Sequence, residues 1–301
     1  MGSEAMVSRL ARYLLGVKEG ERLGTVRQIA KSSHTSVGTV SNALSIIEST
    51  GAIKIDRRGH LGSFVAARSI GALWAIAERE PMVISFPLIA HPRLEGLATG
   101  LKKQLVMAGI DVYLIFIRGS RTRLKSLREN KCHIAVMSDF AASGLCGPTE
   151  QIILRFPAES FVACHEVFYR PDQPPPESPL RIAIDQDSFD IMGLSELEFN
   201  RPQAEFRPVT YMQLPRVLRN DYADIGIWSI DDMHPYLDER IHHRPLSQEV
   251  IQLVGDRDTS AALVTRSESE SVQSVAEAVL RIDAILEIQQ KVMAGEIVPE
   301  Y

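Results

Sequence analysis

The chain has no long apolar run. Its longest is about as long as Val112–Ile117, which excludes a membrane span of roughly 20 residues. No basic segment followed by an apolar one opens the sequence, so secretion is not expected. Cysteine is scarce: Cys132, Cys146 and Cys164 are odd in number and lack C-x-x-C spacing, so they read as free thiols in a reducing cytoplasm rather than a disulfide framework. Catalytic signatures are missing too. There is no Walker loop, no G-x-G-x-x-G after a strand, no G-x-S-x-G and no H-E-x-x-H. His242-His243, with His234 nearby, makes a poor metal site because adjacent strand residues point to opposite faces. His165-Glu166 lacks the second histidine of a zinc helix and reads as strand. No catalytic residue, metal or cofactor is expected, and the chain is not read as an enzyme.

What remains is an ordinary globular composition with a lopsided charge. At 301 residues, 45 % apolar and 24 % charged, the chain can bury a substantial core in two domains. Residues 1–70 hold ten Lys/Arg against five acids, a net charge of +5. The remainder holds 23 basic and 33 acidic residues, a net charge of −10. A basic head on an acidic body suits a polyanion-binding module attached to a domain that stays off DNA.

The head reads as three helices and a hairpin. Glu4–Leu15 places Val7, Leu10, Ala11, Leu14 and Leu15 on one face. Thr25 caps a short helix over Val26–Ser32, and Ser33-His34-Thr35 forms a turn. Ser36 caps the next helix, with Val40, Ala43, Leu44 and Ile47 inward and Gly51 as its stop. Two short helices joined by so tight a turn form a helix-turn-helix. The second helix then exposes Val37, Gly38, Thr39, Ser41 and Asn42 to a major groove. A hairpin follows: strand Ala52–Asp56, turn Arg57-Arg58-Gly59-His60 and return Leu61–Val65, whose tip Arg57, Arg58 and His60 would reach phosphates or a minor groove.

The ordered runs L-G-T-V-R-Q-I-A, T-S-V-G-T-V-S-N-A-L-S-I-I-E-S-T-G-A-I and G-S-F-V resemble the winged helix-turn-helix of the GntR type. The matching positions are Arg27, Ser36, Thr39, Val40, Ala43, Leu44, Glu48, Gly51, Gly62, Phe64 and Val65. The resemblance implies double-stranded DNA as partner, read by Arg27, Ser36, Val37, Gly38, Thr39, Ser41, Asn42, Arg57, Arg58 and His60. Val37 and Ser41 stand where that family often has arginine, so bidentate readout of guanine is not expected from them. Contact of Val37 with a thymine methyl and of Asn42 with adenine remain.

After a helical connector at 67–80, the body alternates strands and helices, the pattern of an α/β sheet domain. Strands are expected at Met82–Phe86, Asp111–Ile117 and His133–Ser138, with helices at Arg93–Met107 and Ser120–Glu129. A second set comprises strands Leu180–Ile184, Ala204–Thr210 and Asp224–Ser229, with helices Ser188–Phe199 and Met212–Arg219. Leu127–Ser138 aligns without gaps to Leu218–Ser229, an offset of 91 residues, so the body reads as two similar lobes. The proline cluster at 171–179 joins them as a stiff extended link. Asp238–Ile251 returns, Ser260–Thr265 rejoins lobe one, and Ser271–Met293 is one long amphipathic helix. Expected domains are thus a winged helix-turn-helix at 1–66, the connector, and a two-lobed domain at 81–301. Lobe one takes about 81–150 and 252–301, and lobe two about 180–230.

This order is that of the type II periplasmic-binding-protein fold, and the whole chain resembles the YhfZ-like family of bacterial regulators. The resemblance implies a DNA-binding head and a solute-binding-like sensor; a homodimer that pairs two heads, away from the membrane, is the expected form. Apolar faces on the connector and the terminal helix are candidate dimer surfaces. Ligands of open α/β sheets bind outside the carboxyl ends of the strands. Those ends offer Ser85, Phe86, Arg118, Ser120, Ser138 and Asp139 in lobe one. Lobe two offers Asp185, Asp187, Ser188, Tyr211 and Ser229. Arginines beside a helix start that Ser120 caps, facing acids across a cleft, suit a small anionic or zwitterionic effector. Two other readings stay open: an enzyme on this scaffold with the head as docking domain, and a scaffold that binds protein through its wing.

Overall fold

The computed structural model describes residues 3–172, 178–200, 202–210 and 212–301. Helix α1 (Ser3–Gly16) buries Val7, Leu10, Ala11, Leu14 and Leu15, the face its spacing predicts. Helix α2 (Val26–Ser32) opens with a reciprocal cap. Thr25 Oγ1 accepts the Gln28 N–H at 3.2 Å, and the Gln28 side chain accepts the Thr25 N–H at 2.8 Å. Such caps contribute about 1 kcal/mol. Helix α3 (Val37–Ser49) buries Val40, Ala43 and Ile47, leaves Leu44 half-buried, and stops at Gly51, whose φ of +76° suits glycine.

Strands β1 (Ile53–Arg57) and β2 (Ser63–Arg68) pair antiparallel as the wing. Arg57 is thus the end of a strand rather than part of the turn. The segment before α2 adds a third rung: Leu23 N–H donates to Ser63 O at 2.8 Å, and Arg22 sits opposite Phe64. A one-residue bridge leaves no alternation to read in a sequence.

Helix α4 (Ile70–Ala77) corrects the expectation of a connector with a free apolar face. Leu73, Trp74 and Ala77 are buried, and the helix packs on α1. The apolar side of these eight residues finds its cover inside the chain itself.

The α/β elements follow in order. They are β3 (Met82–Phe86), α5 (Pro92–Met107), β4 (Val112–Phe116), α6 (Ser120–Arg128), β5 (Ile134–Ser138), α7 (Asp139–Leu145) and β6 (Glu150–Arg155). Then come β7 (His165–Tyr169), β8 (Leu180–Ile184), α8 (Phe189–Glu198), β9 (Ala204–Pro208), α9 (Leu214–Arg219), β10 (Ile225–Ser229) and α10 (Ile230–Met233). The last are β11 (His242–Pro245), α11 (Gln248–Val254), β12 (Ala261–Arg266), α12 (Glu270–Val279) and α13 (Ile282–Met293). Of the proline-rich link, 173–177 lie outside the described residues.

Two five-stranded sheets result, ordered β4-β3-β5-β12-β6 and β9-β8-β10-β7-β11. The orders correspond strand for strand. In each lobe the central strand runs parallel to the first (β5 with β3, β10 with β8) and antiparallel to a strand arriving from a crossover (β12, β7). The repeat seen in the sequence falls on the two central strands, and Ser138 and Ser229 do the same job, capping α7 and α10. Lobe two shows why alternation held: Val167, Ile182, Ile225 and Ile227 face one apolar cluster, Phe168, Ala183 and Trp228 the other.

One linear expectation fails. The terminal helix breaks at Leu280 and Arg281 into α12 and α13, because Leu280 takes an extended backbone (ψ 126°). The chain also divides by packing, not by position. One compact unit is Met1–Val83, Leu101–Tyr113 and Ser267–Arg281; the other is Ile84–Gly100, Leu114–Arg266 and Ile282–Tyr301. In the first, α1 is covered by α3, α4 and α12. In the second, α13 lies against α5 at glycines: a Cβ on Gly96 would meet Gln289 Cα at 2.6 Å. Leu73, Trp74 and Ala77 of α4 and Val272, Val275 and Ala276 of α12 are buried within the first unit.

Candidate functional site

The head presents its second helix outward. Val37 is 48 % exposed, and Gly38, Ser41 and Asn42 are exposed, while Thr39 is half-buried. Ser36 and Thr39 bond each other: Ser36 Oγ accepts the Thr39 N–H at 3.1 Å, and the two hydroxyls lie 2.8 Å apart. The wing arginines are committed, contrary to expectation. Arg57 donates to both oxygens of Glu48 (3.0 and 2.6 Å), tying β1 to α3. Arg58 donates to Asp56 at 2.7 Å and lies over the Phe64 ring. His60 is exposed in the 3-10 turn at the tip. Arg27 and Lys31 on α2, with Lys54 on β1, are exposed and have no ion-pair partner among the described residues. The uncommitted positive charge therefore includes α2, which sequence reasoning credited only through Arg27.

Between the two lobes of the second unit is a cavity of about 60 Å³, far below the ~300 Å³ at which drug-sized sites begin. Its polar lining includes His91, Arg118, Ser120, Arg123, His165, Ser188, Asp190 and Asp232. Of the residues predicted from strand ends, Arg118, Ser120 and Ser188 are there. Ser85 and Phe86 are not: both are buried in lobe one, and Ser85 Oγ donates weakly to Ile134 O. Asp139 accepts from Arg155 at 2.9 Å away from the cavity wall, and Ser229 is occupied in capping α10. Tyr211 lies outside the described residues.

Several predicted groups join the lobes to each other. Arg118 donates to both oxygens of Asp185 (2.7 and 2.8 Å) and to Asp187. Gly119, not Ser120, takes the cap position of α6, at φ +77°, and Ser120 Oγ accepts the Phe189 N–H of lobe two at 3.0 Å. Arg121 N–H donates to Asp187 O at 3.1 Å. Ser138 caps α7 and donates its hydroxyl to Asp190. The arginines expected to await an anion are thus engaged, Arg118 by acids and Arg123 by the carbonyls of Val136 and Ile117 (2.8 and 2.9 Å).

The residues that sequence reasoning missed are His91, His165, Asp190 and Asp232. Asp190 and Asp232 stand in the first turns of α8 and α10, and His91 just precedes α5. These three lie several residues past the ends of the strands they follow, beyond the reach of a rule that looks at strand ends. Burial pushes the Asp190 carboxyl above its ordinary range, against the pull of His165 and the Ser138 hydroxyl. Burial holds the His91 imidazole below its ordinary value, against Asp232 and Asp231, so it is neutral. For His165 burial acts the same way, but the hydrogen bond to Asp258 (2.8 Å) and the charge of that carboxylate outweigh it and raise the pKa. No group of three metal-ligating side chains is found among the described residues, and none of their helices is long and apolar enough to cross a membrane.

A family model described as the YhfZ C-terminal domain matches residues 70–301, and one for a helix-turn-helix domain matches residues 18–65. The Escherichia coli K12 protein described as uncharacterized protein YhfZ is 31 % identical over 303 residues, covering 98 % of this chain and 96 % of that one. The crystal structure of YhfZ from Shigella flexneri superposes with a TM-score of 0.63 at 25 % identity, over 77 % of this chain and 98 % of that chain. A zinc-bound ligand-binding component of an ABC-type import system from Staphylococcus aureus superposes with a TM-score of 0.50 at 10 % identity. It covers 71 % of this chain and 73 % of that one, a likeness of fold alone. A helix-turn-helix domain precedes an α/β domain of binding-protein type, and the chain belongs to the YhfZ family.

Proposed function

We propose that the protein is a cytoplasmic transcription regulator, a homodimer whose heads bind duplex DNA and whose two-lobed domain senses a small metabolite. The observation that carries the reading is a small, partly open cavity between lobes, lined by polar and apolar side chains, in a chain that also exposes the second helix of a helix-turn-helix. A cleft bridged by polar contacts between lobes is a two-state element, and a ligand that prefers one state shifts its population. Paired heads would read half-sites one turn, about 34–36 Å, apart or a multiple of it.

The cavity's groups favour binding over catalysis. The Ser120 and Ser188 oxygens accept backbone N–H groups of α8, and among the described residues neither hydroxyl is hydrogen-bonded to a histidine that would act as its base. Outside the cavity, burial pushes the Cys146 and Cys164 thiols up to about 11, which keeps them protonated at neutral pH.

The test is a gel shift and footprint on genomic fragments at moderate salt, with and without a metabolite extract. The expected result is a protected site whose occupancy changes with the extract. Absence of any protected fragment under both conditions overturns the reading.

A further inference from the structure

His91 is only 6 % exposed, lines the cavity, and has no hydrogen-bond partner at either ring nitrogen. A buried imidazole left with both nitrogens empty is costly, and proteins satisfy such groups or keep them for a ligand. Its Nε2 stands 3.9 Å from Asp232 Oδ1, too far for a direct hydrogen bond. An atom about 2.8 Å from both would see them at an angle of about 90°. That is close to the spread of two hydrogens on a tetrahedral nitrogen.

The cations around this point are already engaged. Arg118 is paired with Asp185 and Asp187, Arg123 donates to main-chain carbonyls, and His165 is paired with Asp258. Asp232 and Asp190 face the same cavity. A ligand bearing a carboxylate or phosphate would meet acids there and cations held by other groups.

We propose that the cavity is an ammonium site, in which the amine of a small metabolite donates to His91 Nε2 and to Asp232. This deepens, and rests on, the sensor reading above, and it replaces the anionic effector suggested by the arginines. The ligand is a primary amine of few heavy atoms, as the cavity of about 60 Å³ requires in the closed form. A neutral His91, protonated on Nδ1, supplies the acceptor; Asp232 supplies the charge that distinguishes an ammonium from an alcohol.

The test uses the full chain and small probes at matched concentration and ionic strength: methylammonium and ethanolamine against methanol and ethylene glycol, with potassium chloride as control. Thermal unfolding and the ¹⁵N resonance of His91 Nε2 are followed together. The amines should raise the midpoint and move the His91 signal, the alcohols and potassium should not. Asp232→Asn should weaken the amine effect by about tenfold, and His91→Gln should weaken it as well. Equal stabilisation by ethylene glycol or potassium overturns the proposal, as does a midpoint and a His91 signal that neither amine moves. DNA binding that still responds to metabolite extract in that event leaves the regulator reading standing and removes only the amine. DNA binding absent throughout strikes the regulator reading alone.

Discussion

Arg118 of lobe one donates to both carboxylate oxygens of Asp185 in lobe two, which is 1 % exposed, and also reaches Asp187. A buried carboxylate with its cation on the opposite lobe makes separation of the lobes expensive, since opening takes that cation away. The chain therefore holds its cleft closed through its own groups. A ligand needs only to add to this balance, and one that prefers the closed state by a few kcal/mol moves most of the population.

Replacing Arg118 by Ala should open the cleft. Removing one partner of a buried pair costs about 3 kcal/mol, which lowers the melting midpoint by several degrees in a domain of this size. Small-angle scattering should show a larger radius of gyration than the parent protein. An unchanged radius and midpoint would mean that the clasp contributes nothing to closure.

Gly119 tests the same contact from the backbone. Its φ is +77°, and a Cβ there would lie 2.5 Å from the Asp187 Cβ and carbonyl oxygen of the opposite lobe. Gly255 has a φ of +61°, but a Cβ added to it would meet nothing within 4 Å. Gly255→Ala should therefore cost only the conformational term of about 1 kcal/mol. Gly119→Ala should cost more and also enlarge the scattering radius. Equal losses would show that the close approach does not matter.

The two lobes were legible because their central strands repeat. Leu127–Ser138 and Leu218–Ser229 became β5 and β10, each flanked by strands in corresponding order. The return of β12 to lobe one was legible as well, from its apolar run. The cavity was less so. Strand ends locate a cleft, but Asp190 and Asp232 project from the helical turns that follow, and nothing local distinguishes them from surface acids in a helix's first turn. Ser85 failed for the opposite reason: a serine near a strand end satisfied its hydroxyl within the sheet. Leu280 and Arg281 break a helix without glycine or proline, so the apolar periodicity ran through the break. Arg57 and Arg58 looked free because Glu48 is nine residues from Arg57, and its position beside β1 is a tertiary fact.

On the proposed function, the basic residues of the head divide into two classes. Arg27 and Lys31 have no ion-pair partner among the described residues, so each Ala substitution should weaken DNA binding and reduce the salt slope by about 1 if it removes one phosphate contact. Arg57 already bonds Glu48, so Arg57→Ala should change the slope less and cost roughly 0.5 kcal/mol of stability, as exposed pairs do. Titrating binding against salt for the three variants checks this. An Arg57 effect equal to that of Arg27 would mean that the Glu48 pair breaks on DNA.

His165 and Asp258 link the two crossover segments beside the cavity, 2.8 Å apart and both buried. Burial opposes the charge on His165, but the Asp258 hydrogen bond and charge, with Asp190 and Asp232 further off, raise its pKa above the ordinary value. A raised folded pKa means the native state binds the proton more tightly than the unfolded chain does. The resulting stabilisation is complete below about pH 6.5, the ordinary histidine value, and is lost as pH rises through the folded pKa. Asp258→Asn should therefore destabilise most at mildly acidic pH, and its gap from the parent protein should narrow as pH rises. Denaturant unfolding across pH gives the gap, and a histidine NMR titration gives the direction of the shift. A His165 that titrates below the ordinary value, or a gap that stays flat with pH, would show that burial prevails over Asp258.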